Sequence, residues 1–189
     1  IHQHPELAFD EHRTSKLVAE RLESLGIEVQ TGVGKTGVVG TLRGKGDDKI
    51  IALRADMDAL PIQETSDISY KSKNAGIMHA CGHDGHTAML LGTAEALSKQ
   101  AEKLNGTVKF FFQPAEEGQG GARFMIEDGA LEGVDQAYGI HLWNYQKYGT
   151  VGVKPGPIMA AADIFEITIH GKGGHGAAPQ GTKDAVLIS

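Results

Sequence analysis

The sequence predicts an α/β fold with a largely parallel sheet, and three observations predict it. Short apolar runs with β-branched or aromatic residues alternate with longer segments of helical periodicity, which is the pattern of strands joined by helical crossovers. Glycine is abundant, at 26 of 189 residues, about twice the usual share of roughly 7%, as expected when many turns link regular elements. Several of the nine histidines gather around the single Cys81, so a site built on loops between those elements is expected.

The elements follow in order. Residues 10–25 read as an amphipathic helix, with Leu17, Val18, Arg21, Leu22 and Leu25 at helical spacing and Gly26 placed to end it. Val38–Leu42 and Ile50–Leu53 read as strands, joined by a turn-rich stretch from Arg43 to Lys49. Residues 85–99 read as a second helix whose apolar face is Ala88, Leu91, Ala94, Ala96 and Leu97. Val108–Phe112 carries the strongest strand pattern, residues 121–128 read as a helix ending near Gly129, and Ala137–Ile140 reads as another strand. From Asp163 to His170 the residues alternate, Ile164, Glu166 and Thr168 against Phe165, Ile167 and Ile169, which predicts an antiparallel strand with one buried face. A domain boundary is expected in the Gly/Pro-rich Lys154–Pro157 stretch, giving domains 1–157 and 158–189. The chain opens at Ile1 without a methionine and stops at Ser189 in what reads as a helix start; both ends read as cuts, so a fragment is expected.

Composition narrows the function. The formal net charge is −6, which argues against a nucleic-acid partner, because phosphate binding needs a basic footprint. No apolar run approaches the roughly 18 residues of a membrane span, and no basic-then-apolar leader opens the chain. One cysteine excludes an internal disulfide and makes the reducing cytoplasm the default compartment.

Gly32–Gly37 has the look of a phosphate loop, but the P-loop pattern wants glycine five residues before Gly34, where Val29 stands, and the segment leads into a strand instead of a helix. A plain turn is the reading. His79–His86 is richer. Cys81 and His83 are two residues apart and project the same way if extended, and thiolate and imidazole are both good ligands for transition ions. Asp84 and His86 are further candidates for ligation or support; the plainer reading is a buried free cysteine beside a helix cap. Asp56 and Asp58 follow the strand Ile50–Leu53, where open α/β sheets place ligands. Glu116 and Glu117 follow the strand Val108–Phe112. Adjacent carboxylates usually mark a charged surface, but at a strand end one can hold a metal while its neighbour holds a water. His141 follows Ala137–Ile140. Successive strands are thus expected to end in Asp56/Asp58, Cys81/His83, Glu116/Glu117 and His141, and the strand ends of a parallel sheet converge on one rim.

Five segments in this order, Arg54–Pro61, His79–His86, Gln113–Gly118, Gly139–Trp143 and Gly171–Pro179, resemble the M20 metallopeptidase family, in the branch of aminoacylases, hippurate hydrolases and auxin-conjugate amidohydrolases. The resemblance implies a catalytic α/β domain holding two divalent ions (Mn, Zn, Co or Ni), followed by an α+β lid that mediates homodimerisation; both would be incomplete here. It implies Cys81, His83, Glu117 and His141 as metal ligands, Glu116 as general base, Asp58 as the acid supporting a metal-bound imidazole, and His175 as a histidine reaching the partner subunit's site. Many relatives carry His-x-Asp where this chain has Asp56 and Asp58, so Asp56 is left without a role. A further ligand histidine and the substrate-carboxylate clamp are expected beyond Ser189. The activity implied is hydrolysis of the amide bond of small N-acyl amino acids. A metallo-carboxypeptidase or dipeptidase and an N-acetyldiaminopimelate-type deacetylase are the alternatives within the enzyme class, and a non-catalytic metal- or ligand-binding fragment is the alternative outside it.

Overall fold

The computed structural model describes residues 1–189, apart from the side chains of 47 and 48. The described residues form two compact units, Ile1–Asn144 and Tyr145–Ser189.

The first unit is built on one five-stranded mixed sheet. Its strands are β1 (Glu28–Val33), β2 (Gly37–Arg43), β3 (Lys45–Asp56), β4 (Asn105–Gln113) and β5 (Gln136–Gly139), in the order β1-β2-β4-β3-β5. β3 runs parallel to both β4 and β5, whereas β2 is antiparallel to β1 and β4. The α/β class holds, with the parallel part confined to β4, β3 and β5. Two strand details differ from the sequence reading. β1 was not expected, and β3 begins at Lys45, inside the stretch read as turn, because Lys45 pairs with Asn105 before an irregularity restores pairing at Ile50 with Thr107.

Helices cover both faces. α1 (His12–Ser24) buries Thr14, Val18, Ala19 and Leu22, one stripe at helical spacing. Its first turn is closed by Glu6, whose carboxylate accepts the Arg13 and Thr14 N–H groups at 2.8 Å each. α2 (His83–Ser98) packs beside it. Together they cover Val38, Leu42, Phe110 and Phe112 in one core cluster. On the opposite face Val39, Ala52 and Phe111 pack with Met125 of α4 (Gly121–Glu127). Phe110, Phe111 and Phe112 therefore point alternately into two cores, which is why β4 reads as an unbroken apolar run. The buried stripe of α2 is His83, His86, Thr87, Leu90 and Ala94, while Ala88 and Ala96 are exposed. The apolar face expected from the sequence is thus rotated, because three polar residues at its N-terminus are buried.

The second unit contains a short 3₁₀ turn (Pro179–Gly181) and α5 (Ala185–Ile188), whose Asp184 side chain accepts the Val186 and Leu187 N–H groups. Residues 163–170 form no strand, contrary to expectation. Alternation fixes a face only when a neighbouring strand pairs and a layer covers it. Here Ile164, Phe165 and Ile167 are 89%, 83% and 73% exposed. Among the described residues no helix is long and apolar enough to cross a membrane.

Candidate metal centre

The C-terminal ends of β3, β4 and β5 lie at one rim, since Asp56 pairs with Gln113 and Arg54 with Gly139. Cys81 and His83 reach this rim from the start of α2, not from a strand end as the sequence suggested, because Gly82, at a φ of 101°, turns the chain directly into that helix.

Asp58 organises the rim. It is 1% exposed, and its carboxylate lies 3.2 Å from His83 Nδ1 while accepting the Glu116 and Glu117 N–H groups at 3.0 and 2.9 Å. Those two residues open a kinked turn, α3 (Glu116–Gln119), entered through Ala115 at a φ of 50°. Ala115 is held in this left-handed geometry by the buried Glu11, which accepts its N–H at 2.8 Å and the Thr36 hydroxyl at 2.5 Å. Gly121 closes the turn, since a Cβ there would lie 1.8 Å from the Pro114 carbonyl oxygen.

The side chains converge on His83. Its Nδ1 faces Asp58, so that nitrogen carries a proton, and in the neutral ring Nε2 keeps the lone pair. Nε2 is buried without a hydrogen-bond partner among the described residues. It lies 3.6 Å from Asp56 Oδ2, 3.8 Å from Glu116 Oε2 and 3.9 Å from Glu117 Oε1. Cys81 Sγ stands 3.5 Å from His141 Nε2. Among the described residues, three groups of donor atoms are close enough to hold a metal ion: Cys81, His83 and His141; His83, Glu116 and Glu117; and Asp56, His83 and His86. Six of the seven residues given a role by the family resemblance meet, Cys81, His83, Glu116, Glu117 and His141 in these groups and Asp58 behind His83. The seventh, His175, belongs to the second unit, where its Nδ1 accepts the Ala177 N–H at 3.1 Å. Asp84 points elsewhere, 2.7 Å from His2 Nδ1.

The electrostatics fit a cation. Burial pushes the Cys81 thiol up, with the hydrogen bond and charge of Glu117 and the charges of Asp56 and Glu116 adding to it, to about 12. Burial and the Glu117 charge likewise raise Glu116. Burial works against ionisation of Asp56 too, but the His86 hydrogen bond, Arg54 at 2.7 Å and His83 outweigh it and hold the carboxyl at about 2. His83 is raised despite burial, chiefly by Asp58 and then Asp56. A buried imidazole lone pair, a thiol starved of positive charge and crowded carboxylates are the donor set a divalent transition ion would satisfy.

One supporting residue, Glu11, escaped the sequence reading; His86 was expected as a ligand or a support. His86 is 2% exposed, with Nδ1 2.6 Å from Asp56 Oδ1 and Nε2 accepting the Leu142 N–H at 2.9 Å. The Asp56/His86 pair carried a signal only in being an acid at a strand end and a histidine one turn from His83.

Known proteins resemble this chain in sequence and in fold. The sequence pattern of peptidase family M20/M25/M40 matches residues 52–189. Thermostable carboxypeptidase 2 of Saccharolobus solfataricus is 55% identical over 192 aligned positions, covering 100% of this chain and 49% of that protein. Hippurate hydrolase of Campylobacter jejuni is 50% identical, with 100% and 49% covered. The chain thus spans about half the length of the curated relatives it matches. Among solved structures, a dinuclear metal-binding peptidase of the M20 family from Bacillus subtilis superposes with a TM-score of 0.80 at 48% identity, over 82% of this chain and 44% of that one.

Proposed function

The chain belongs to peptidase family M20/M25/M40, and on that premise we propose that it carries the metal centre of an amidohydrolase that cleaves small N-acyl amino acids. The observation that carries the reading is His83 Nε2, a buried lone pair without a partner, placed among Cys81, Glu116, Glu117 and His141. Hippurate hydrolase, by its name, acts on an N-acyl amino acid, and the carboxypeptidase relative favours peptide substrates as the second reading.

Cys81, His83, Glu117 and His141 would hold the metal, as a pair of divalent ions, with Mn, Zn, Co and Ni all suited to mixed S/N/O donors. When bound, such a pair supplies Lewis acidity, acidifying a water and polarising the scissile carbonyl. The chain's own residues do the rest. Asp58 fixes the tautomer of His83 and, through two N–H groups, the directions of Glu116 and Glu117. Glu116, half-exposed and raised in pKa, takes the proton of the attacking water and returns it to the departing amine. His175 is assigned to the developing oxyanion in the partner subunit's site, which makes a homodimer the working assembly. A cysteine used as ligand suits a reducing cytoplasm.

The test is Cys81→Ser in the natural chain that carries this sequence, assayed for metal content and for hydrolysis of N-benzoyl and N-acetyl amino acids. Metal content and activity are expected to fall together. Full metal and full activity in that variant would refute the ligand assignment.

A further inference from the structure

Asp56 ends a chain of hydrogen bonds, buried at Asp56 and His86, that leads to a ligand of the proposed metal centre. Its Oδ1 lies 2.6 Å from His86 Nδ1, and His86 Nε2 lies 2.9 Å from the Leu142 nitrogen. A backbone N–H can only donate, so His86 Nε2 accepts and its proton sits on Nδ1, directed at Asp56. The carbonyl of the same residue, Leu142, can only accept, and it lies 2.6 Å from His141 Nδ1. His141 therefore carries its proton on Nδ1, and its Nε2 lone pair turns toward Cys81 Sγ at 3.5 Å. The Leu142 backbone is tied on both sides, at N–H by His86 and at C=O by the ring of His141.

Packing supports the same arrangement. The His86 and His141 rings meet edge to face, with centroids 4.6 Å apart. The Leu142 side chain rests on the first turn of α2, where a Cβ at Gly85 would come within 2.5 Å of Leu142 Cδ1. Asp56 is itself fixed by Arg54 at 2.7 Å, and its carbonyl oxygen accepts the Thr87 hydroxyl at 2.9 Å.

We infer that His86, oriented by Asp56, is a positioning residue that sets the ring direction and tautomer of His141 through the Leu142 backbone. The inference deepens the proposed function and rests on its reading of His141 as a ligand. It gives Asp56 a role without making it a ligand: the carboxylate selects the His86 tautomer that leaves Nε2 free to receive the Leu142 N–H. Partners of this kind, one bond behind a ligand, commonly change metal affinity about 10–100-fold when removed.

Two substitutions separate the halves of the ring. His86→Gln places an acceptor near the Nε2 position, and His86→Asn keeps a polar group near Nδ1 but offers Leu142 nothing. The natural chain carrying this sequence, with and without each substitution, is titrated with Zn²⁺ against a chromophoric chelator. The imidazole nitrogens of the metal-free forms are read by ¹⁵N NMR, and thermal melts are recorded alongside. The wild type should show His86 and His141 as Nδ1–H tautomers. His86→Gln should keep the His141 tautomer and bind zinc within a few-fold of wild type. His86→Asn should mix the His141 tautomers and lose zinc affinity by about 10–100-fold, at a melting temperature close to that of His86→Gln. An Nε2–H tautomer for His86 in the wild type overturns the inference whether or not either variant folds. So does a His86→Asn protein with wild-type affinity and tautomer, or a His86→Gln protein as impaired as His86→Asn. A wild type that takes up no zinc refutes the metal reading and this inference with it, whereas a zinc-binding wild type with an indifferent His86→Asn refutes this inference alone.

Discussion

Replacing Asp58 by Asn removes one acceptor oxygen from a buried group that serves three donors. Oδ1 faces His83 Nδ1 and the Glu116 N–H, and Oδ2 takes the Glu117 N–H. With its oxygen in the Oδ1 position, the amide turns its own N–H₂ against the Glu117 N–H. Flipped, it opposes the Glu116 N–H and draws the His83 proton to Nε2. Either way one buried donor is stranded, at about 1–3 kcal/mol, and the remaining bonds lose their charge assistance, so the loss is roughly 2–4 kcal/mol. Relief of repulsion among Asp56, Asp58, Glu116 and Glu117 works in the opposite direction and is screened by salt. The assay is therefore urea unfolding of the metal-free protein at low and high ionic strength, with the net loss larger at high salt. Zinc affinity, measured by chelator competition, should fall about 10–100-fold, because the lone pair of His83 is no longer held toward the centre. An Asn variant with unchanged stability at both salts and unchanged zinc affinity would refute the role given to Asp58.

Two other outcomes are expected. Glu116→Gln should retain metal while losing turnover by about 10²–10⁴-fold, as when a general base is removed, whereas Glu117→Ala should lose metal first; metal analysis beside kinetics distinguishes them, and the reverse pattern would exchange the two roles. Asp56 has its carboxyl lowered from 3.8 to about 2, so in the metal-free protein it contributes about 2 kcal/mol that is complete above pH 3.8 and disappears as pH falls to 2. Glu11, raised by burial, acts with the opposite sign, its contribution declining as pH rises beyond 4.5. Acid unfolding of Asp56→Asn should therefore show a flatter limb between pH 4 and 2 than the parent, and an identical limb would contradict the assignment.

The helices and the central strands were legible because their apolar periodicity reports burial directly, as in Val18 and Leu22 of α1 and the three phenylalanines of β4. β1 was not, since most of its residues are exposed and only Val33 is fully buried. The strand expected at 163–170 had the right alternation, but periodicity says nothing about whether a partner strand pairs with it. The face of α2 was misplaced because His83, His86 and Thr87 are buried for polar reasons that a hydrophobic pattern cannot register. At the rim the same division holds. Acids, thiol and imidazoles announce themselves by type. The bonds that orient them do not: His86 reaches a backbone N–H 56 positions away, and any non-proline residue at 142 would supply that donor. The left-handed Ala115 and its tether to Glu11, 104 positions distant, are equally silent in the sequence.

Whether Cys81, His83, Glu117 and His141 hold a divalent ion is read most directly by zinc-edge X-ray absorption of the zinc-loaded protein. A sulfur at the thiolate distance is assigned to Cys81, the cysteine of this rim, by its loss when Cys81 is replaced. The expected shell has sulfur at about 2.3 Å beside nitrogen and oxygen at about 2.0–2.2 Å, with the sulfur absent in Cys81→Ser. A shell of nitrogen and oxygen alone in the parent protein would contradict it.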